Sequence, residues 1–422
     1  MATLHDELKW RGMVYDATEG LREVLSREVL TGYSGFDPTA SSLHVGHLLP
    51  ALSLARLQRF GHSPIAIVGG GTGLIGDPSG KSVERSLLTV EQVESNVEKI
   101  RGQLSKFLDF HTPRNAARLV NNAEWLTGMS AMEFLRDVGK YFTVNAMLAK
   151  ESVKRRIESE DGISYTEFSY SLLQAYDFLV LHDRFGCTLQ LGGSDQWGNI
   201  VSGIDLIRRV RAAKAHGLVM PLLTTSSGAK FGKTEGGAVW LDPELTSPYE
   251  FYQFWFNADD RDAVRYLKFF TFLDEAAIAA LESASAKEPE KRHTQRELAR
   301  EVTRLVHGAT AVQEAETAAE KLFKGDLSVM SVAELLQIFP NVPSCDLVAV
   351  AAGWLVPELL AAAGVASSKS EAVRLVKGGG ISLNGRRIAD EKQRVTREHA
   401  IEGRLFVIRK GKKDNFLVRL VG

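Results

Sequence analysis

The run Ser63-Pro64-Ile65-Ala66-Ile67-Val68, with the glycines that follow it, limits the fold of this chain more than any other stretch. It is apolar at nearly every position rather than at alternate ones, so a strand here must be covered on both faces. Doubly covered strands belong to parallel sheets layered with helices. Upstream, "EVLTGYSGF" reads as a second strand, and "SLHVGHLLPALSLARLQRFG" between the two reads as a helix ending at Gly61. Pro50 inside that pattern predicts either a helix start near His47 or a bend. The alternation of β-rich runs and helical patterns continues to about residue 225, which predicts an α/β fold with a mostly parallel sheet.

The glycine-dense continuation "GGGTGLIGDPSGKS" imitates two nucleotide-binding signatures and satisfies neither. Gly71 to Gly76 fit G-x-G-x-x-G, but a polar, breaker-rich segment follows where that motif needs a helix, and Glu91 and Glu94 fall in a helical period rather than at a strand end. If Lys81 is taken as the lysine of a phosphate loop, the first glycine position holds Ile75. What remains is a turn at a strand end that presents Asp77, in the place where open α/β sheets bind ligands. Asp-Pro as a plain turn former is the structural alternative.

With 422 residues, 44% hydrophobic and 24% charged, the chain has material for two or three domains with sizeable cores. The opening "MATLHDELKWRG" has no apolar run and no later stretch has the length of a membrane span, which predicts a cytoplasmic protein without a membrane partner. Cys187 and Cys345 are too few for a disulfide framework or a four-ligand zinc site and read as buried or idle thiols. The net charge of −1 hides a split: residues 357–422 hold 14 Lys+Arg against 7 Asp+Glu, a balance of +7 that leaves −8 for the rest. A small basic module on an acidic body is a candidate for nucleic-acid binding, with a solvated surface as the alternative.

Three constellations carry chemistry. "YSGFDPTASSLHVGH" ends a strand and places His44 and His47 three apart at a helix start, with Gly46 allowing a flat ligand close to the backbone. Free N–H groups at such a start suit phosphate; metal binding is the competing reading, but no further His or Cys stands at ligand spacing. "TSSGAKFGKTEGG" sets Lys230 and Lys233 among glycines, a pattern suited to a moving loop that neutralises polyphosphate charge. In "TEFSYSLLQAYDFLVL", Tyr170, Gln174 and Asp177 fall on one face of an otherwise apolar helix, where a polar stripe needs buried partners or a ligand.

His44-Val45-Gly46-His47, "GGSDQWGN" and "KFGKT", together with "YSGFDPTA" and "GLIGDPSGK", closely resemble the signatures of bacterial tyrosyl-tRNA synthetases, class I enzymes, and the likeness runs over essentially the whole chain. The resemblance implies a Rossmann-like parallel-sheet catalytic domain, then a helical domain, then a small C-terminal α+β RNA-binding module. The expected boundaries are 1–227 for the catalytic domain with a dimer-forming insertion near 115–165, 228–325 for the lysine loop and helices, 326–356 for a linker and 357–422 for the basic module. It implies that Tyr33 and Asp177 meet the hydroxyl of a substrate tyrosine, and that Asp77, Tyr170 and Gln174 surround its ammonium, with Gln196 near its carboxyl. ATP would lie against Gly35, Asp37, Thr39, His44, Gly46, His47, Gly193 and Asp195, and Lys230, Lys233 and Thr234 would hold its pyrophosphate. Magnesium would arrive with ATP, with no tightly bound cofactor and no all-protein metal site. The partners implied are tRNA(Tyr), L-tyrosine, ATP and a second copy of the chain.

Beyond the resemblance, "SKSEAVRLVKGGGISLNGRRI" reads as a capped basic helix, a glycine turn and a hairpin at Asn384-Gly385, followed by a second basic hairpin. Arg374, Lys377, Arg386 and Arg387 are the expected RNA contacts. Three other readings share parts of this pattern. A small-molecule nucleotidyltransferase needs no lysine loop or basic tail, a tryptophan-specific relative normally lacks the tail and the Tyr33/Asp177 pair, and a synthetase-derived RNA-binding protein does not need an intact pocket.

Overall fold

A computed structural model describes residues 3–78, 88–158, 162–226, 228, 231–234, 237–324, 327–339, 342–411 and 414–421. The chain divides into two compact units, one of Met1–Asp242 with Phe254–Val306, the other of Pro243–Gln253 with His307–Gly422.

The first unit is built on a six-stranded sheet of β1 (Asp16–Ala17), β2 (Thr31–Phe36), β3 (Ser63–Val68), β4 (Arg118–Asn121), β5 (Cys187–Gly193) and β6 (His216–Met220). Their order is β1-β6-β5-β2-β3-β4, parallel throughout except for the short antiparallel β1 at one edge. As the apolar run of β3 requires, both faces are covered. On one face the Leu48–Arg59 helix packs so closely that Gly32 of β2 has room for no side chain between Leu57 and Leu189. On the other, Ala175, Phe178 and Leu179 of the Tyr165–Phe185 helix join Leu206 and Ile207 of the Trp197–Arg211 helix over Tyr33, Ile65 and Ile67. The long helix starts at Ser164, whose side chain accepts from the Glu167 N–H, and stops at left-handed Gly186.

Of the two outcomes expected from Pro50, a helix start near His47 or a bend, the structure has the first, and the helix ends at Arg59, just short of Gly61. His44 is extended, Val45–His47 form a 3-10 turn, and the α-helix begins at Leu48. Pro50 sits in its first turn, where a missing N–H leaves no bond unmade. A two-stranded ribbon of β7 (Lys233–Thr234) and β8 (Gly237–Ala238) is followed later in the chain by the helices Asp260–Phe270, Glu275–Lys287 and His293–His307.

The second unit carries β9 (Ser344–Val348), β10 (Trp354–Leu355), β11 (Ile381–Leu383), β12 (Arg386–Arg387), β13 (Arg394–Val395), β14 (Leu405–Lys410) and β15 (Asp414–Val421). Five of them form a sheet ordered β12-β11-β14-β15-β9, and β10 pairs with β13. The hairpin at Asn384-Gly385 has both residues at positive φ, 49° and 86°, the geometry a two-residue turn between β11 and β12 demands. The stretch expected as a linker, 326–356, is part of this unit. β9 lies parallel to β15, and Leu335 and Ile338 share a core with Leu405, Val407 and Leu417. Of "FPNVPS", Pro340 and Asn341 lie outside the described residues, and Ser344 begins β9.

Candidate functional site

From β2 the chain crosses to β3 and β4 on one side, and β5 and β6 lie on the other. The crevice outside the strand ends at such a reversal is where open α/β sheets bind ligands. Tyr33 and Gly35 stand on β2, Asp37 and Thr39 just beyond it, and Asp77 after the glycine turn that follows β3. Gly193 ends β5, and Asp195 and Gln196 occupy the 3-10 turn after it.

At the floor of this crevice lies a buried acid. Asp177, 4% exposed, accepts from Asn122 Nδ2 at 2.9 Å and from Trp125 Nε1 at 2.7 Å. Burial pushes its carboxyl up to about 7 against the pull of those two donors. The Tyr33 hydroxyl is also buried and has no hydrogen-bond partner among the described residues, while its ring packs 5.1 Å from that of Phe178. Burial first, and then the charge of Asp177, raise the Tyr33 hydroxyl well above its ordinary value. A buried hydroxyl without a partner is destabilising unless a ligand completes it.

The rest of the polar stripe forms a relay along one wall. Gln196 Nε2 donates to Asp77 Oδ2 at 2.7 Å, Gln174 Nε2 donates to Gln196 Oε1 at 3.2 Å, and Asn199 Nδ2 donates to Gln174 Oε1 at 3.0 Å. The Tyr170 hydroxyl donates to Asp37 Oδ2 at 3.3 Å. A second relay runs from Asp37 through Thr72 and Asn122 to Asp177. Two acids on the crevice floor and rim are thereby tied to one rigid network.

At the mouth, His44 Nδ1 accepts from the Gly46 N–H at 3.0 Å and His47 Nδ1 accepts from the His44 N–H at 3.1 Å. A neutral imidazole that accepts at Nδ1 carries its proton on Nε2. Gly46 is required for this, because a Cβ there would fall 2.8 Å from His44 Cε1. The segment after the lysine motif is stitched to the histidines: Val45 N–H donates to Val239 O at 2.9 Å, Leu241 N–H donates to Leu43 O at 2.8 Å, and His44 bridges Trp240. Lys233 and Thr234 form β7, and Lys230 lies outside the described residues. Among the described residues no group of three or more His, Cys, Asp or Glu could hold a metal ion.

In the second unit, Arg374 and Lys377 are exposed on the Lys369–Lys377 helix, and Arg386 and Arg387 are exposed on β12. The Arg387 guanidinium lies directly over Gly379, and Lys377 pairs with Glu391 at 3.2 Å. Sequence reasoning missed Asn122, Trp125, Thr72 and Asn199. The first two follow β4 in "VNNAEW", which has no periodicity to mark them, whereas Asn199 sits at i+3 from Gln196 within a recognised motif.

Residues 25–324 match a family model described as tRNA synthetases class I (W and Y), and residues 334–418 match the tyrosine–tRNA ligase SYY-like C-terminal domain. The chain is 56% identical over 424 residues to a tyrosine–tRNA ligase of Roseiflexus castenholzii, with 100% of both chains covered. It is 53% identical over 418 residues to that of Geobacillus stearothermophilus, with 98% of each covered. Among solved structures, a C-terminally truncated mitochondrial tyrosyl-tRNA synthetase of Aspergillus nidulans superposes with a TM-score of 0.69 at 31% identity, covering 76% of this chain and 95% of that one.

Proposed function

Because the chain belongs to the class I tyrosine–tRNA ligases, we propose that the crevice at the β2/β5 reversal is where tyrosine and ATP meet, with the residues above in the roles now set out. The overall reaction has two steps. The tyrosine carboxylate attacks the α-phosphorus of ATP and expels pyrophosphate, and a ribose hydroxyl at the 3′ end of tRNA then attacks the adenylate carbonyl and expels AMP. Neither step requires a protein nucleophile, so catalysis rests on positioning and on charge placed where the leaving group develops its own.

The observation that carries the assignment is the Tyr33 hydroxyl buried without a partner beside the buried Asp177. A phenol placed between them donates to Asp177 and accepts from Tyr33, which completes both groups at once. Asp77, held by Gln196, then faces the ammonium together with Gln174. The Nε2 donors of His44 and His47 meet the phosphates, Asp195 the ribose, and Lys230, Lys233 and Thr234 the departing pyrophosphate. Magnesium enters as part of the ATP substrate. Exposed Met132, Leu135 and Val144 in the 115–165 segment support a homodimer interface there, and the +7 charge of residues 357–422 supports tRNA binding by that module. Among the described residues no helix is long and apolar enough to cross a membrane.

The test is pyrophosphate exchange with tyrosine and phenylalanine. Tyr33→Phe should erode the kcat/KM ratio modestly and Asp177→Ala much more, since the second removes a charged acceptor and takes away the acceptor of the buried Trp125 N–H. An unchanged ratio in both variants places the hydroxyl elsewhere.

A further inference from the structure

The lysine motif contains one residue that cannot touch pyrophosphate. Phe231, 5% exposed, is enclosed by aromatic rings: Tyr266 at 5.0 Å, Phe270 at 5.4 Å and nearly parallel, Phe254 at 5.6 Å and Trp255 at 5.7 Å. Its neighbour Gly232 is at φ +80°, and a Cβ there would stand 2.8 Å from Val45 Cγ2, between the two histidines in sequence. The start of the β7–β8 ribbon is therefore fixed from two directions, by Phe231 in its aromatic seat and by Gly232 beneath Val45.

Tyr266 and Phe270 lie four residues apart on one face of the Asp260–Phe270 helix, so the seat moves with that helix. The C-terminal end of the helix is gripped by Arg56 of the Leu48–Arg59 helix. Arg56 Nη2 donates to the carbonyls of Thr271 at 2.6 Å, Phe269 at 3.0 Å and Lys268 at 3.3 Å, and Arg11 adds bonds from Nη1 and Nη2 to the same turn. These carbonyls are the ones a helix end leaves without internal partners. Arg56 is 1% exposed, and its Nε and Nη1 find no partner among the described residues. Burying a charge with only part of its donors satisfied is destabilising, and an apolar side chain of similar size is usually as good or better for stability alone. The Leu48–Arg59 helix begins one residue after His47, so a single rigid helix carries the histidines at its start and the grip on the aromatic seat near its end.

We propose that Arg56 is a positioning residue for the activation step: by capping the Asp260–Phe270 helix it fixes the seat of Phe231, and with it the lysine ribbon, relative to His44 and His47. This rests on the reading of Lys233 as a pyrophosphate-holding group. The experiment is single-turnover adenylate formation, with the Kd for tyrosine measured separately, for Arg56→Met, Arg56→Lys, Phe231→Leu, the double variant Arg56→Met/Phe231→Leu, and Lys233→Ala as reference. Arg56→Met should slow the chemical step by about tenfold or more while tyrosine affinity stays within about twofold of the parent, and Arg56→Lys should lie between them. In the double variant the two effects should fall well short of multiplying, since both act through one seat. A normal chemical rate in Arg56→Met and Arg56→Lys, a parallel loss of tyrosine affinity, or fully multiplicative effects would overturn the inference while Lys233→Ala remained slow. Normal activation in Lys233→Ala would overturn the reading of the ribbon itself, and this inference with it. If Arg56→Met does not fold, Arg56→Lys and Phe231→Leu and their combination give the same comparison.

Discussion

Asp177 shows how much one side chain's surroundings decide. On the surface an aspartate is ionised at neutral pH whatever its neighbours; here burial raises it to about 7, and Asn122 and Trp125 hold it short of a larger shift. In the proposed arrangement the substrate phenol donates to Asp177, and a proton on Asp177 competes for the same oxygen. Tyrosine binding should therefore be strongest above about pH 7 and weaken as pH falls through that value, by up to about tenfold per unit. Titrating the Kd of tyrosine against pH checks this: the parent should show the slope and Asp177→Asn should be flat and weak throughout. A pH-independent Kd in the parent would mean that Asp177 stays ionised over the whole range. The partners that set this balance were invisible in the sequence, because Asn122 and Trp125 belong to a one-turn helix, Ala123–Leu126 and its cap, too short to show a period, and meet Asp177 only when β4 pairs with β3.

At the scale of elements, the parts that the sequence declares are those governed by local rules. The all-apolar β3, the polar face of the Tyr165–Phe185 helix and the Asn384-Gly385 hairpin each follow from periodicity or turn chemistry. The 3-10 turn at Val45–His47 and the membership of β9 in the C-terminal sheet were not legible, since each depends on distant segments: Val239 and Leu241 in the first case, β15 in the second. The turn makes a sharp prediction. Gly46→Ala brings a methyl group into the His44 ring, so the ring must rotate and give up the Gly46 N–H. If His44 meets the phosphates as proposed, loss of that donor should cost about 2–4 kcal/mol in the activation barrier, with tyrosine affinity nearly unchanged. Rapid-quench measurement of adenylate formation beside equilibrium tyrosine binding separates the two; a normal activation rate would remove the 3-10 turn from the catalytic account.

For the whole molecule, charge and architecture divide the labour unequally. Ending the chain at residue 356 removes the +7 segment, but it also takes away β14 and β15, leaving Leu335 and Ile338 without the strands that cover them. Pyrophosphate exchange should survive this truncation while tRNA charging falls steeply, and the shortened protein should melt earlier or self-associate through the uncovered apolar surface. The full-length enzyme should lose tRNA affinity as salt rises, with a slope that the truncation reduces; equal slopes would assign RNA binding to another part of the chain. The sheet order has a temporal consequence as well. β2, which carries Tyr33, is synthesised early, yet one of its two neighbours is β5, whose Cys187 faces Thr31. At ordinary rates of chain elongation the gap is roughly 10–30 s, during which β2 can pair with β3 while its other edge stays open to any passing strand. The strand that carries Tyr33 thus gains its second neighbour only after more than half of the catalytic unit has been made, and an enzyme that serves translation is itself exposed to misassembly for as long as the ribosome takes to deliver β5.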